Sequence, residues 1–155
     1  MDEFVGPPAP PWAYDPRIDA EFLQAFLCRN AEDLWACNHD AADAAQWFLW
    51  SGKSSPTSFP RICRMFQTDP SIIRREVMRE LHRRVLDRIR AREPRWQSLA
   101  NWYAEREVGP FPFDWFCIAS RIPKNRLQNE VLFAIRHALE DAYSEECVVL
   151  QPHTA

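Results

Sequence analysis

Glycine is nearly absent from this chain: only Gly6, Gly52 and Gly109 occur among its 155 residues. Dinucleotide-binding folds and phosphate-cradling loops need glycine where backbone must approach a ligand closely, so those classes are largely excluded. Gly52-Lys53-Ser54 matches the end of a phosphate-binding loop, but the leading glycine would fall on Trp47 and the match fails. Long apolar runs are also missing. None approaches the roughly 20 residues a membrane span needs, so no membrane association is expected. The first twenty residues are acidic and proline-rich without the apolar core of a secretion signal. Five cysteines, an odd number with no sign of export, read as reduced thiols in a cytoplasmic protein.

Aromatic residues are plentiful, with seven Trp and ten Phe, and 46% of the chain is hydrophobic. That is enough for a packed interior. Charge is segregated. Residues 1–57 carry nine acids and three bases, a balance of −6; residues 58–95 carry eleven arginines and five acids, a balance of +6. Residues 96–155 carry five bases and eight acids, and the three balances make up the net −3. A basic band between two acidic ends makes local charge the informative quantity.

The organisation read from these patterns has four parts. Residues 1–18 form an extended proline-rich arm, which Trp12 and Tyr14 could tack onto the body. Residues 19–57 form an acidic helical segment. Its first helix puts Phe22, Leu23, Phe26 and Leu27 on one face, and a second short helix runs through Leu34. A third starts near Asp40 and turns Ala44, Ala45, Phe48 and Leu49 inward; residues 51–57 are an exposed loop. Residues 58–95 hold a short helix, a turn, and a long helix opened by Asp69-Pro70. In that long helix Ile73, Val77, Leu81, Val85 and Ile89 recur every four residues to about Arg92. Residues 96–155 hold a connecting helix over 97–106, a break at Gly109-Pro110, and a second copy of the preceding pattern, the whole making one compact unit. The fold class is all-α.

The second copy lies at an offset of 54 residues. Phe59, Cys63, Glu76 and Val77 fall on Phe113, Cys117, Glu130 and Val131. Ile73, Leu81 and Val85 fall on Leu127, Ile135 and Leu139. Each copy is a short helix, a turn of about four residues and a longer helix, the plan of a helix-turn-helix. Cys63 and Cys117 stand where the second helix must cross close by. Thr68 and Ile122 stand at the corner beneath the turn, and Ile73 and Leu127 one turn into the second helix.

The stretch Ser58-Phe-Pro-Arg-Ile-Cys-Arg-Met-Phe-Gln-Thr-Asp-Pro-Ser-Ile-Ile-Arg-Arg75 resembles the helix-turn-helix of short bacterial and phage-borne regulators. The likeness covers about residues 58–92, and more weakly 113–142. At the turn position that this pattern fills with glycine stand Gln67 and Arg121. The resemblance implies DNA binding through the second helix of each unit. In the first unit the candidates are Arg74, Arg75, Arg79 and Arg83, since the guanidinium fork suits phosphates and guanine edges. Arg84 and Arg88 share that helix. In the second unit they are Lys124, Asn125, Arg126, Gln128 and Asn129, where the amides can pair with adenine. The bland alternative is a solvated face, with Glu76 and Glu80 forming ion pairs beside the arginines.

Other chemistry is poorly supported. Cys28, Cys37 and His39 lack a paired spacing and a fourth ligand for zinc. His82 and His137 are expected at the surface rather than as a catalytic dyad. Trp47, Trp96, Trp102 and Trp115 are expected in the core, whereas Trp50 could anchor a partner. The reading is a non-enzymatic regulator, without cofactor or metal, that binds double-stranded DNA and could dimerise. The alternative is a small phage or bacterial adaptor or inhibitor that binds a host protein or nucleoprotein complex, using its acidic N-terminal segment.

Overall fold

The computed structural model describes the backbone of residues 16–49 and 57–150, and the side chains of residues 20–49 and 57–144. The arm before Pro16, with Trp12 and Tyr14, lies outside the described residues, as do Trp50, the Gly52-Lys53-Ser54 triplet and the side chain of Cys147. Seven helices and no strand make up the described chain.

No glycine or proline interrupts residues 17–36, and one helix, α1, runs from Pro16 to Ala36 where two short ones were expected. Proline can open a helix because the first N–H has no intrahelical partner in any case. The helix therefore begins inside the segment assigned to the extended arm. α2 spans Ala41–Leu49 and buries Ala41, Ala44, Ala45 and Phe48. α3 spans Phe59–Met65 and α4 spans Pro70–Arg90. At the start of α4 the Asp69 carboxylate accepts the Ser71 N–H and hydroxyl, each at 2.9 Å. These bonds hold its pKa below the usual value. α5 spans Trp96–Tyr103, α6 Phe113–Ser120 and α7 Lys124–Leu150. The backbone of Cys147–Leu150 forms the last turn of α7.

α4 is the hub. It packs against α1, α3, α5, α6 and α7, and its side chains Met78, Leu81, Val85 and Ile89 are fully buried. The spacing of these four residues puts them on one face.

The 54-residue repeat is visible in the backbone and extends further than the sequence reading took it. α3 and α6 begin at equivalent residues, as do α4 and α7. The turn residues Gln67 and Arg121 are equivalent and both left-handed, with φ of 54° and 55°. With so little glycine, each turn forces a side-chain-bearing residue into that region. α2, displaced by the same offset, covers α5. One indole–carbonyl bond recurs in each unit with its donor shifted by one position: the Trp47 indole donates to Thr57 O at 2.9 Å, and the Trp102 indole, equivalent in position to Phe48, to Phe111 O at 2.8 Å. The two acceptors are equivalent residues. Each unit is thus a trihelical version of the expected pair.

Most corner residues behave as expected. Cys63 and Ile122 are buried and Cys117 half-buried. Thr68 differs: it is exposed, and its hydroxyl and N–H both return to Cys63 O. Gly109 has a specific reason to be glycine. A Cβ there would lie 2.1 Å from the Trp102 ring. Trp102 is buried, Trp35, Trp47 and Trp96 are half-buried against the core, and Trp115 is exposed.

Candidate nucleic-acid interface

The arginines of α4 divide by helical position. Arg74 and Arg88 lie on the side opposite the solvent stripe, and their guanidinium groups close the open ends of neighbouring helices. Arg74 Nε donates to Phe48 O of α2 at 2.5 Å while its guanidinium lies 5.2 Å from the Phe59 ring centroid. Arg88 donates to Trp35 O and Ala36 O at the end of α1. From the connecting segment, Arg95 donates to Cys37 O at 2.8 Å. The last carbonyls of a helix lack intrahelical donors and carry partial negative charge, so a cation there is well placed.

The remaining α4 arginines keep more of their surface. Arg79 is exposed, though its Nε donates to Ser120 O at the end of α6 at 3.0 Å. Arg75 pairs with Glu76 at 3.2 Å. Arg83 pairs with Glu80 at 2.6 Å yet leaves 71% of its side chain exposed. Arg84 shares that Glu80 and lies over the Trp35 ring, 4.4 Å from its centroid. The solvated ion-pair reading therefore describes part of this helix, centred on Glu80. Ion pairs of this exposed kind contribute little to stability.

The second unit's candidates also separate. Gln128 is equivalent to Arg74 and does the same work: its amide donates to Tyr103 O, the last residue of α5, at 2.9 Å. Lys124 is held between Glu105 and Asp114 and lies beside the Phe113 ring. The hydrogen bond to Glu105, followed by that to Asp114, raises its pKa. Asn125, Arg126 and Asn129 face solvent, and Arg126 bonds Glu130 at 3.0 Å.

These last three line a groove of about 440 Å³ together with Arg90 from α4; Leu86 and Phe133 contribute apolar lining. Arg90 escaped the sequence reading, although helical periodicity points to it. It stands seven residues after Arg83, on the same stripe, whereas Arg74 stands on the other side. The structure thus brings Asn125, Arg126 and Asn129 to one groove with a fourth residue, and sends Arg74 and Gln128 into the fold.

Beneath the groove lies a polar strut joining α4, α5 and α7. His82 is 5% exposed, so the surface expectation for it is corrected. Its Nδ1 lies 2.8 Å from the Tyr103 hydroxyl and its Nε2 2.5 Å from a Glu130 carboxylate oxygen. Burial holds its pKa below the usual value, against the opposing pull of Glu130. A neutral ring meets both partners, with Tyr103 O–H donating to Nδ1 and Nε2–H donating to Glu130. Burial works against the Glu130 carboxylate, but its bonds to His82 and Arg126 bring its pKa below the usual value. Tyr103 is 1% exposed, so the row is closed to solvent at that end. His137 lies on the surface beside Asp141 at 3.3 Å.

Among the described residues no three His, Cys, Asp or Glu side chains converge to hold a metal, and no helix is long and apolar enough to cross a membrane. In comparisons with protein-family models, curated proteins and solved structures, none matches this chain.

Proposed function

We propose that the chain is a non-enzymatic, cytoplasmic DNA-binding protein of regulatory type, built from two helix-turn-helix-like units. The surface proposed for double-stranded DNA is composite: Arg79, Arg83 and Arg90 from α4, with Asn125, Arg126 and Asn129 from α7. The observation that carries the reading is the groove where Arg90 meets Asn125, Arg126 and Asn129, since it joins the long helices of both units. Guanidinium groups suit phosphates, and carboxamides can read adenine. Arg75 and Lys124 would be supporting phosphate contacts at the edges.

A fluorescence-anisotropy titration of the full chain against random duplex DNA at two salt concentrations tests this. The expected result is binding that weakens steeply with salt, as release of counterions requires. Absence of binding at low salt would remove the proposal. A partner retained through nuclease treatment would then favour the adaptor alternative, in which the acidic N-terminal segment grips a protein.

A further inference from the structure

Applying the 54-residue offset to the buried face of α4 yields a contrast. Met78, Leu81, Val85 and Ile89, each fully buried, correspond to Leu132, Ile135, Leu139 and Tyr143 of α7. The α7 residues are largely uncovered: Leu132 is 60% exposed, Leu139 54% and Tyr143 70%, and Ile135 is half-buried. They line one continuous concavity with Arg136, Glu140 and Ser144. The same apolar pattern is therefore covered in one unit by neighbouring helices and left without cover in the other. Beyond Ala138 no described side chain of α7 is fully buried. A helix edge of this kind draws its stability from tertiary packing rather than from propensity.

We infer that this face of α7 is covered by the same face of a second copy of the chain, the two helices running antiparallel about a two-fold axis. The charges within the stripe select that occupant. Arg136 and Glu140 stand one turn apart on it, both exposed, and neither has an ion-pair or hydrogen-bond partner among the described residues. Arg126 and Glu130, at the same spacing on the same helix, do bond to each other. An axis passing between residues 137 and 138 puts Leu132 opposite the second copy's Tyr143. It puts Arg136 beside the second copy's Glu140, and by symmetry Glu140 beside its Arg136. The apolar residues follow the three-and-four spacing of a helix–helix seam. The contact spans residues 132–143, about 17 Å of helix. Asn125 and Arg126 lie outside that span. The inference is independent of the DNA reading.

The contact is smaller than a standard interface of about 1,600 Å², so self-association is expected in the micromolar range or weaker. Sedimentation of the full chain from about 1 µM to about 1 mM brackets that range. The expected result is a reversible monomer–dimer equilibrium. Leu139→Asp, at an exposed position that leaves the fold intact by circular dichroism, should abolish it. Arg136→Glu alone and Glu140→Arg alone should each weaken it by about tenfold or more, because every substitution acts twice in a symmetric pair. Mixing these two single-substitution chains should restore association, since each then presents to the other the opposite charge. The double variant Arg136→Glu/Glu140→Arg should also dimerise. A strictly monomeric wild type, or a dimer indifferent to Leu139→Asp, would overturn the inference. So would a failure of the mixture to associate, which would indicate a different surface or cover by another segment of the same chain.

Discussion

The two trihelical units share a backbone plan and use it differently. In the first, the long helix α4 is an internal support: its apolar face is covered and Arg74 and Arg88 close the carbonyl ends of α2 and α1. In the second, the long helix α7 lies partly outside, with amide and guanidinium groups near its start and an uncovered apolar stripe further along. His82 and its equivalent Arg136 show the divergence at one position: the first is buried between two partners, the second is exposed. Repeating a pattern therefore fixes where helices start and turn, while burial is decided by which neighbours each copy has. Arginine count on a helix says little about its surface charge until the side chains' partners are known.

The largest effect expected from breaking this comparison comes from the two tryptophans. Trp102→Ala, at a fully buried ring, should lower unfolding free energy by about 4 kcal/mol, whereas Trp47→Ala, at the half-buried ring that makes the corresponding carbonyl bond, should cost about half as much. Urea unfolding of both variants measures the difference. Equal losses would contradict the different burial of the two rings. Gly109→Ala should also destabilise the second unit, by roughly 1–3 kcal/mol, because the added methyl enters the Trp102 ring.

Next in size is the His82 strut. Tyr103→Phe removes the hydroxyl that satisfies Nδ1 and should cost about 1–3 kcal/mol. The pH dependence has a definite sign. The unfolded imidazole takes up a proton near 6.5, whereas burial lowers the folded value. Stability should therefore fall as pH drops below about 6.5 and continue falling until the folded imidazole is also protonated. Glu130, whose folded pKa is also depressed, adds a further loss once pH passes below about 4.5. Urea midpoints measured from neutral to acidic pH follow both, and a His82→Gln variant should lose the first phase. A midpoint flat between pH 7 and 5.5 in the wild type would contradict the assignment of a neutral buried ring.

Smaller effects distinguish internal from external arginines. Arg74→Ala should cost about 1–2 kcal/mol through the lost carbonyl bond and ring contact. Arg83→Ala, in an exposed ion pair, should cost less than about 0.5 kcal/mol. The smallest effect sharpens the equivalence of the units. Gln67→Gly and Arg121→Gly each relieve a left-handed side-chain-bearing residue and should stabilise by about 0.5–1 kcal/mol, to similar extents. Opposite signs at the two positions would count against equivalent turns.

Much of the fold was legible in the sequence because it rests on local rules. Apolar spacing marked α4, Asp69-Pro70 marked its start, and paired residues marked the repeat. What escaped depends on three-dimensional neighbours. The break expected within α1 had no glycine or proline behind it, only a run of polar residues that a helix tolerates. The sequence pattern puts α5 over 97–106, starting one residue late and running past Tyr103, because Glu105, which turns left-handed at φ 58°, is an unremarkable residue in sequence. The candidate surface was half legible: residue types identified Arg126, Asn125 and Asn129, but not that Arg74 and Gln128 would bond to carbonyls of other helices. Nor did His82, set among arginines, announce that Tyr103 and Glu130 would bury it.

The proposed DNA surface is the composite groove, and not the full arginine complement of α4. Its most direct test compares duplex-DNA anisotropy across salt for the wild type, Arg90→Ala/Arg126→Ala and Arg74→Ala. The double variant should lose most of its affinity and flatten the salt dependence by about one power per phosphate contact removed. Arg74→Ala, folded under the assay conditions, should keep wild-type affinity and slope. Binding lost in Arg74→Ala but retained in the double variant, or no binding by any of the three at low salt, would contradict it.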